Sequence, residues 1–194
     1  MLYADQEVLL LDKNIDVIRA WECLINRAPS EIRDLPTFTE NTNIDEQDLP
    51  EDVKCLIGFW LSHAVGAKCK MYRARDDRWT SPWGSETKKK LSLIAGQIKH
   101  WRAVCGDYTA CENERATWFI DPPYQGCGSG SYRFFKVDHF ALASWAKSRI
   151  GQVICCDRAD ASWLPFSPLT PYRGARKTYI EGVYHRPSEQ APRP

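Results

Sequence analysis

The chain has eight cysteines but no Cys-x-x-Cys pair, and its four histidines are scattered without ligand spacing. A zinc centre is therefore not expected, and the metal assignment from sequence is none. No apolar run approaches the length needed to span a bilayer, and the start shows no basic, apolar and small-residue order of a secretory signal. A membrane partner is therefore not expected, and the expected location is the cytoplasm. In a reducing compartment the cysteines read as small buried hydrophobes. An excess of one charge is missing too. The formal net charge is +1, which by itself says nothing about nucleic acid.

What is present is ordinary in amount and uneven in distribution. Hydrophobic residues make up 43% and charged residues 26% of 194 residues, which suits one soluble domain, or one with an insertion. Eight tryptophans are many for this length, so some are expected at the surface. Residues 31–54 hold eight acids and two bases, whereas residues 68–102 hold ten bases and three acids. That asymmetry predicts one basic face.

The chain is organised around residues 116–124. Ala116 to Ile120 reads as a buried strand, and Asp121-Pro122-Pro123-Tyr124 ends it. A strand cannot run through two prolines, because each lacks a ladder donor and has a fixed φ. Asp121 is thus left at a strand's carboxyl end, where open α/β sheets hold ligands. The prolines stiffen the loop that carries Tyr124. A plain strand-to-turn transition would need only Asp-Pro.

Taken in order, residues 8–11 form a short apolar run, as a parallel strand buried on both faces should. Asp12 ends it and Asn14 can cap a helix carrying Ile15, Ile18, Trp21 and Ile25. Residues 28–50 are polar, acidic and punctuated by proline, and read as a surface connection. Pro50 opens a helix to about His63. The basic and aromatic stretch follows: Lys68, Lys70, Arg73, Arg75, Arg78, Trp79, Trp83, Lys88, Lys89 and Lys90. Such cations suit phosphates and such tryptophans suit bases, although a solvated basic surface has the same composition. Leu91, Ile94, Ile98 and Trp101 mark a further helix leading to Val104-Cys105-Gly106-Asp107-Tyr108, where an acid at a turn is also what turns prefer. The glycines from 126 to 130 are not a phosphate cradle, because Tyr132 to Phe135 separate them from any helix. They read instead as a mobile loop. Asp138 caps another helix, residues 151–156 are a buried strand, residues 160–166 a short turn or helix, and residues 178–184 a last strand, antiparallel in one reading. Residues 186–194 read as a tail.

The order of these features resembles the adenine-specific DNA methyltransferase family across nearly the whole chain. The resemblance rests on Asp12 after a strand, the basic insert, Gly106-Asp107-Tyr108, Asp121-Pro122-Pro123-Tyr124, the Asp138-His139 helix and the strand at 151–156. It implies an α/β fold: an incomplete Rossmann-like sheet of the S-adenosylmethionine-dependent kind, with an inserted helical, basic DNA-recognition segment. The domains implied are 1–27 with 103–185 for catalysis, 28–102 for the insert, and 186–194 for the tail. Asp121, Pro122, Pro123 and Tyr124 would be catalytic. Asp121 and the carbonyl of Pro122 would accept the two hydrogens of adenine's amine, as preset acceptors for developing charge. Tyr124 would stack on a base swung out of double-stranded DNA. Asp12 would bond the cofactor's ribose, and Asp107 and Tyr108 its adenine. Arg73, Arg75, Arg78, Trp79, Lys88, Lys89 and Lys90 would contact DNA, and the glycine loop would close over the flipped base.

One departure matters. Family members carry a glycine-rich loop just before the Asp12 strand, and residues 1–7 contain no glycine. An upstream segment or a partner chain is therefore expected to complete the cofactor site. Two other readings stand beside the adenine enzyme. One is a non-catalytic remnant that binds DNA. The other is an amino-methyltransferase acting on cytosine N4 or on RNA.

Overall fold

A computed structural model describes residues 6–62, 68–72, 83–126, 133–173 and 178–188. The protein is a mixed α/β chain whose contacts divide it into two compact units, Met1–Tyr108 and Thr109–Pro194.

The first unit opens with strand β1 (Leu9–Asp12) and helix α1 (Ile15–Asn26). The Asn14 side chain accepts from the Asp16 amide at 3.1 Å, the cap expected at that position. Ile18, Ala20, Cys23, Leu24 and Ile25 form the buried face of α1. Ala20, Cys23, Leu24 and Ile25 pack into one core with Val53, Cys55, Leu56 and Ile57 of α3 (Glu51–Leu61) and with Leu91 and Ala95 of α4 (Ser85–Gln97). A bidentate ion pair between Arg27 and Asp52, with Nη2 to Oδ2 at 2.8 Å, ties the end of α1 to the start of α3. Strand β2 (Arg102–Cys105) then pairs with β1 in parallel, so that Asp12 faces Cys105.

Two expectations for this unit change. Residues 28–50 are not a mere surface connection. They form α2 (Pro29–Arg33) and a short 3-10 turn, and bury Ile32, Leu35 and Ile44 in the shared core. Their apolar residues are too irregularly spaced to show a period. The buried face of α4 is also rotated from the expected one: Thr87, Lys88, Leu91, Ser92 and Ala95 point inward, while Leu93 and Ile94 are exposed. Trp101 lies beyond that helix and packs against Trp21.

The second unit holds a four-stranded sheet in the order β3-β4-β6-β5. Strand β3 (Ala116–Ile120) runs parallel to β4 (Gly151–Arg158), with helix α5 (His139–Ser148) as the connecting segment. Asp138 caps α5, its carboxylate accepting from the amides of Phe140 and Ala141. The side chains of Trp118 and Trp145 meet edge to face, and the Arg149 guanidinium lies over both rings. Strand β6 (Thr178–Arg186) is antiparallel to both β4 and β5 (Ser167–Arg173). Sequence reading missed β5, because Pro168 and Pro171 argue against a strand. Its place at the sheet's edge, paired among the described residues only with β6, tolerates them.

Among the described residues, β1 and β2 pair only with each other, so the strands make a two-stranded and a four-stranded sheet. No helix among them is long and apolar enough to cross a membrane.

Candidate functional site

The end of β3 is built by register. Ile120 pairs with Cys155, so Asp121 emerges beside the carboxyl half of β4. Each residue that follows Pro122 is held by a side chain from a different element. The Pro123 carbonyl meets His139 Nε2 of α5 at 3.0 Å. The Tyr124 hydroxyl donates to Glu181 Oε1 of β6 at 2.5 Å. The Gln125 amide donates to both carboxylate oxygens of Asp157 of β4, at 3.1 Å each. The loop is thus fixed by tertiary contacts as well as by its prolines.

Asp157 makes this possible at some cost. Its side chain is fully buried, and an unaided buried carboxylate costs several kcal/mol. Besides Gln125, it accepts from the Arg158 amide at 2.7 Å and from Trp163 Nε1 at 2.6 Å. Hydrogen bonds to a charged acceptor contribute about 1.5–3 kcal/mol each, enough to offset that burial. Trp163 in turn stacks at a tilt on His139 and meets Phe166 edge to face.

Three groups at this corner, Asp121, Tyr124 and Cys156, hold their protons more tightly than usual. Asp121 is exposed as a residue, yet dense protein behind its carboxyl raises its pKa, and the negative charges of Glu181 and Asp157 add to that. Burial also pushes the Tyr124 phenol well up, with the bond to Glu181 next in weight. Cys156 is pushed up to about 11 by burial and by Asp121 and Glu181. The carboxylate of Asp121 is therefore more basic than an ordinary aspartate. Such a carboxylate is a stronger hydrogen-bond acceptor than an ordinary aspartate.

In the first unit the parallel register gathers the other expected site residues. Asp12 ends β1 opposite Cys105, and Gly106, Asp107 and Tyr108 follow directly at the same end of β2. The Gly106 amide donates to the Asp12 carbonyl at 3.0 Å, fastening the two ends together. One Asp12 oxygen accepts from the Asn14 amide at 2.6 Å, a local turn bond. Burial raises the Asp12 pKa and that bond partly lowers it again. Asp107 is ion-paired with Lys13, and both it and Tyr108 are half-buried.

The basic stretch divides. Lys89 and Lys90 are exposed on α4. Lys88 is not available to a phosphate: it is buried, and its ammonium donates to the Leu35 carbonyl. Helical phase separates it from its neighbours, since positions 88, 91, 92 and 95 share the inward face. Trp83 is likewise interior, 2% exposed, with its indole N–H on the Pro36 carbonyl at 2.8 Å. Arg73, Arg75, Arg78, Trp79 and the loop at 127–131 lie outside the described residues. Lys68 donates to Glu51 Oε1 at 2.5 Å and lies beside Cys55. It therefore supplies a cation to the Asp16, Glu51 and Cys55 group, the cluster of metal-capable side chains found among the described residues.

Sequence reading overlooked Asp157 and Glu181. Asp157 carried a usable signal, an acid directly after an apolar run, the pattern that singled out Asp12 and Asp121. Glu181 showed only as an acid inside an otherwise apolar strand. No protein-family model matches the chain, and no curated protein matches it.

Proposed function

We propose that the protein is an amino-methyltransferase that transfers a methyl group from S-adenosylmethionine to the exocyclic amine of adenine in DNA. The observation that carries this reading is the Asp121 corner. A more basic than usual carboxylate stands at the carboxyl end of a parallel strand, followed by an aromatic side chain on a loop held at three successive residues.

The first unit offers a seat for the nucleoside half of the cofactor. Asp12 offers a partly buried carboxylate oxygen for a ribose hydroxyl, and Asp107 and Tyr108 follow at the neighbouring strand end. When bound, it would supply an electrophilic methyl group. The chain's own work is to hold and polarise the amine. Adenine's amine is a poor nucleophile because its lone pair is delocalised into the ring. Asp121 accepts one hydrogen and the Pro122 carbonyl the other, favouring a more tetrahedral nitrogen. Tyr124 takes the face of the extruded base, and Asp121 can take the proton released afterwards. Lys89 and Lys90 suit backbone phosphates.

The test is methyl transfer from tritiated cofactor to unmethylated DNA, with Asp121→Ala alongside. Transfer by the wild-type chain, lost in the variant with DNA affinity nearly unchanged, is the expected result. Loss of both activities in a folded variant would remove Asp121 from the chemistry. A second reading, a protein that binds DNA without turnover, draws on the exposed Lys89 and Lys90 of α4. DNA binding with no transfer and no cofactor binding would favour it.

A further inference from the structure

Glu181 is a group at the corner whose chemistry the reaction scheme leaves unused. It projects from the middle of β6, between Ile180 and Gly182, and pairs across the sheet with Arg158 and Thr170. No turn, cap or helix end needs an acid there. Its carboxylate accepts the Tyr124 hydroxyl at 2.5 Å, a charge-assisted bond reaching 57 residues along the chain. A tyrosine on a proline-stiffened loop keeps two free side-chain torsions, and a bond at its far end removes most of that freedom. We propose that Glu181 is a positioning residue for the reaction, clamping the Tyr124 ring where the flipped base must stack. This rests on the amino-methyltransferase reading.

The charge of Glu181 has a second consequence. The ionisable groups that face Asp121 are Tyr124 on its own loop, Cys156 and Asp157 on β4, and Glu181 on β6. After burial itself, Glu181 has the larger effect of the two acids, and both make Asp121 harder to ionise. The clamp and the charge are separable by substitution. Glu181→Gln keeps an acceptor for the hydroxyl and deletes the charge. Glu181→Ala deletes both. Tyr124→Phe keeps the ring and the charge and deletes the bond.

Steady-state methyl transfer to unmethylated genomic DNA, as a function of pH, reads out each part, with thermal unfolding confirming that every variant folds. Glu181→Ala and Tyr124→Phe should each lower kcat by roughly tenfold, about the effect of one charged hydrogen bond. The double variant should be no worse than either single one. Glu181→Gln should keep most of kcat, and its acid limb should move to lower pH, whereas that of Tyr124→Phe should stay in place. An active wild type with a folded Glu181→Ala of unchanged kcat, with additive losses, or with an unmoved acid limb in Glu181→Gln would overturn the assignment while leaving the enzyme reading intact. An inactive wild type would remove both. Should Glu181→Ala not fold, the Glu181→Gln and Tyr124→Phe pair decides alone.

Discussion

At the scale of single residues, the protein spends stability on acids it keeps near the end of β3. Asp121 is protonated in both folded and unfolded chains at low pH, and its surroundings then cost little. As pH rises past the ordinary aspartate value, the unfolded chain releases its proton first, because the folded carboxyl has a raised pKa. Folding stability from this group is therefore full at low pH and is lost as pH rises through the folded value. Asp121→Asn should thus be more resistant to urea than the wild type at neutral pH. The difference should vanish near pH 3, below about the ordinary value for the side chain. Equal midpoints at both pH values would show that Asp121 is not held in an unfavourable setting. Such a stability cost is common where a group is kept for chemistry.

The same scale shows what a sequence can and cannot reveal. Asp12 and Asp121 were legible because an acid directly ends an apolar run, and a strand's end is the one place where that pattern has a structural meaning. Asp157 has the same pattern and could have been read from it. Glu181 could not, because its partner Tyr124 is 57 residues away and only the pairing of β4 with β6 brings them together. Lys88 and Trp83 misled for the opposite reason. A lysine and a tryptophan amid cations look solvent-facing, and it takes the helix phase and the Pro36 carbonyl to place them inside.

At the scale of elements, boundaries followed wherever local chemistry forces them. The caps at Asn14 and Asp138, the start of α3 after Pro50, and the end of β3 before two prolines all appear where expected. Strand β5 and helix α2 did not announce themselves, since an edge strand can carry prolines and a five-residue helix has no readable period. Two substitutions test the elements directly. Gly151 begins β4 with φ of +102°, and a Cβ there would lie 2.2 Å from the Ala116 carbonyl oxygen. Gly151→Ala should destabilise the chain by roughly 1–3 kcal/mol or more, seen as a lower urea midpoint. A neutral result would mean that β3 and β4 can part at that end. On α4, Lys89→Ala and Lys90→Ala should each reduce the slope of log affinity for DNA against log salt by about 1. Lys88→Ala should leave that slope alone and instead cost stability, about 1–3 kcal/mol, through the unmet Leu35 carbonyl.

At the scale of the whole molecule, the architecture is two compact units, each with a parallel strand pair whose carboxyl ends carry acids. The first holds Asp12, Asp107 and Tyr108, and the second Asp121 and Tyr124 with their supports. The expected mixed α/β class is what the chain forms. Within the segment 28–102, expected as an insert, helices α2, α3 and α4 share a core with α1. Sequence showed the order of the parts well because strands, caps and prolines are local. It showed their packing poorly, because irregularly spaced residues such as Ile32 and Ile44 reveal their burial only through partners far along the chain.

The central claim is that Asp121 and Tyr124 present an adenine amine for methylation. The most direct measurement incubates the chain with tritiated S-adenosylmethionine and unmethylated DNA, then digests the product to nucleosides and separates them. Label in N6-methyldeoxyadenosine, absent when Asp121→Ala replaces the wild type, is the predicted result. Label confined to methylcytidine species, or no label in DNA that the protein demonstrably binds together with the cofactor, would contradict it.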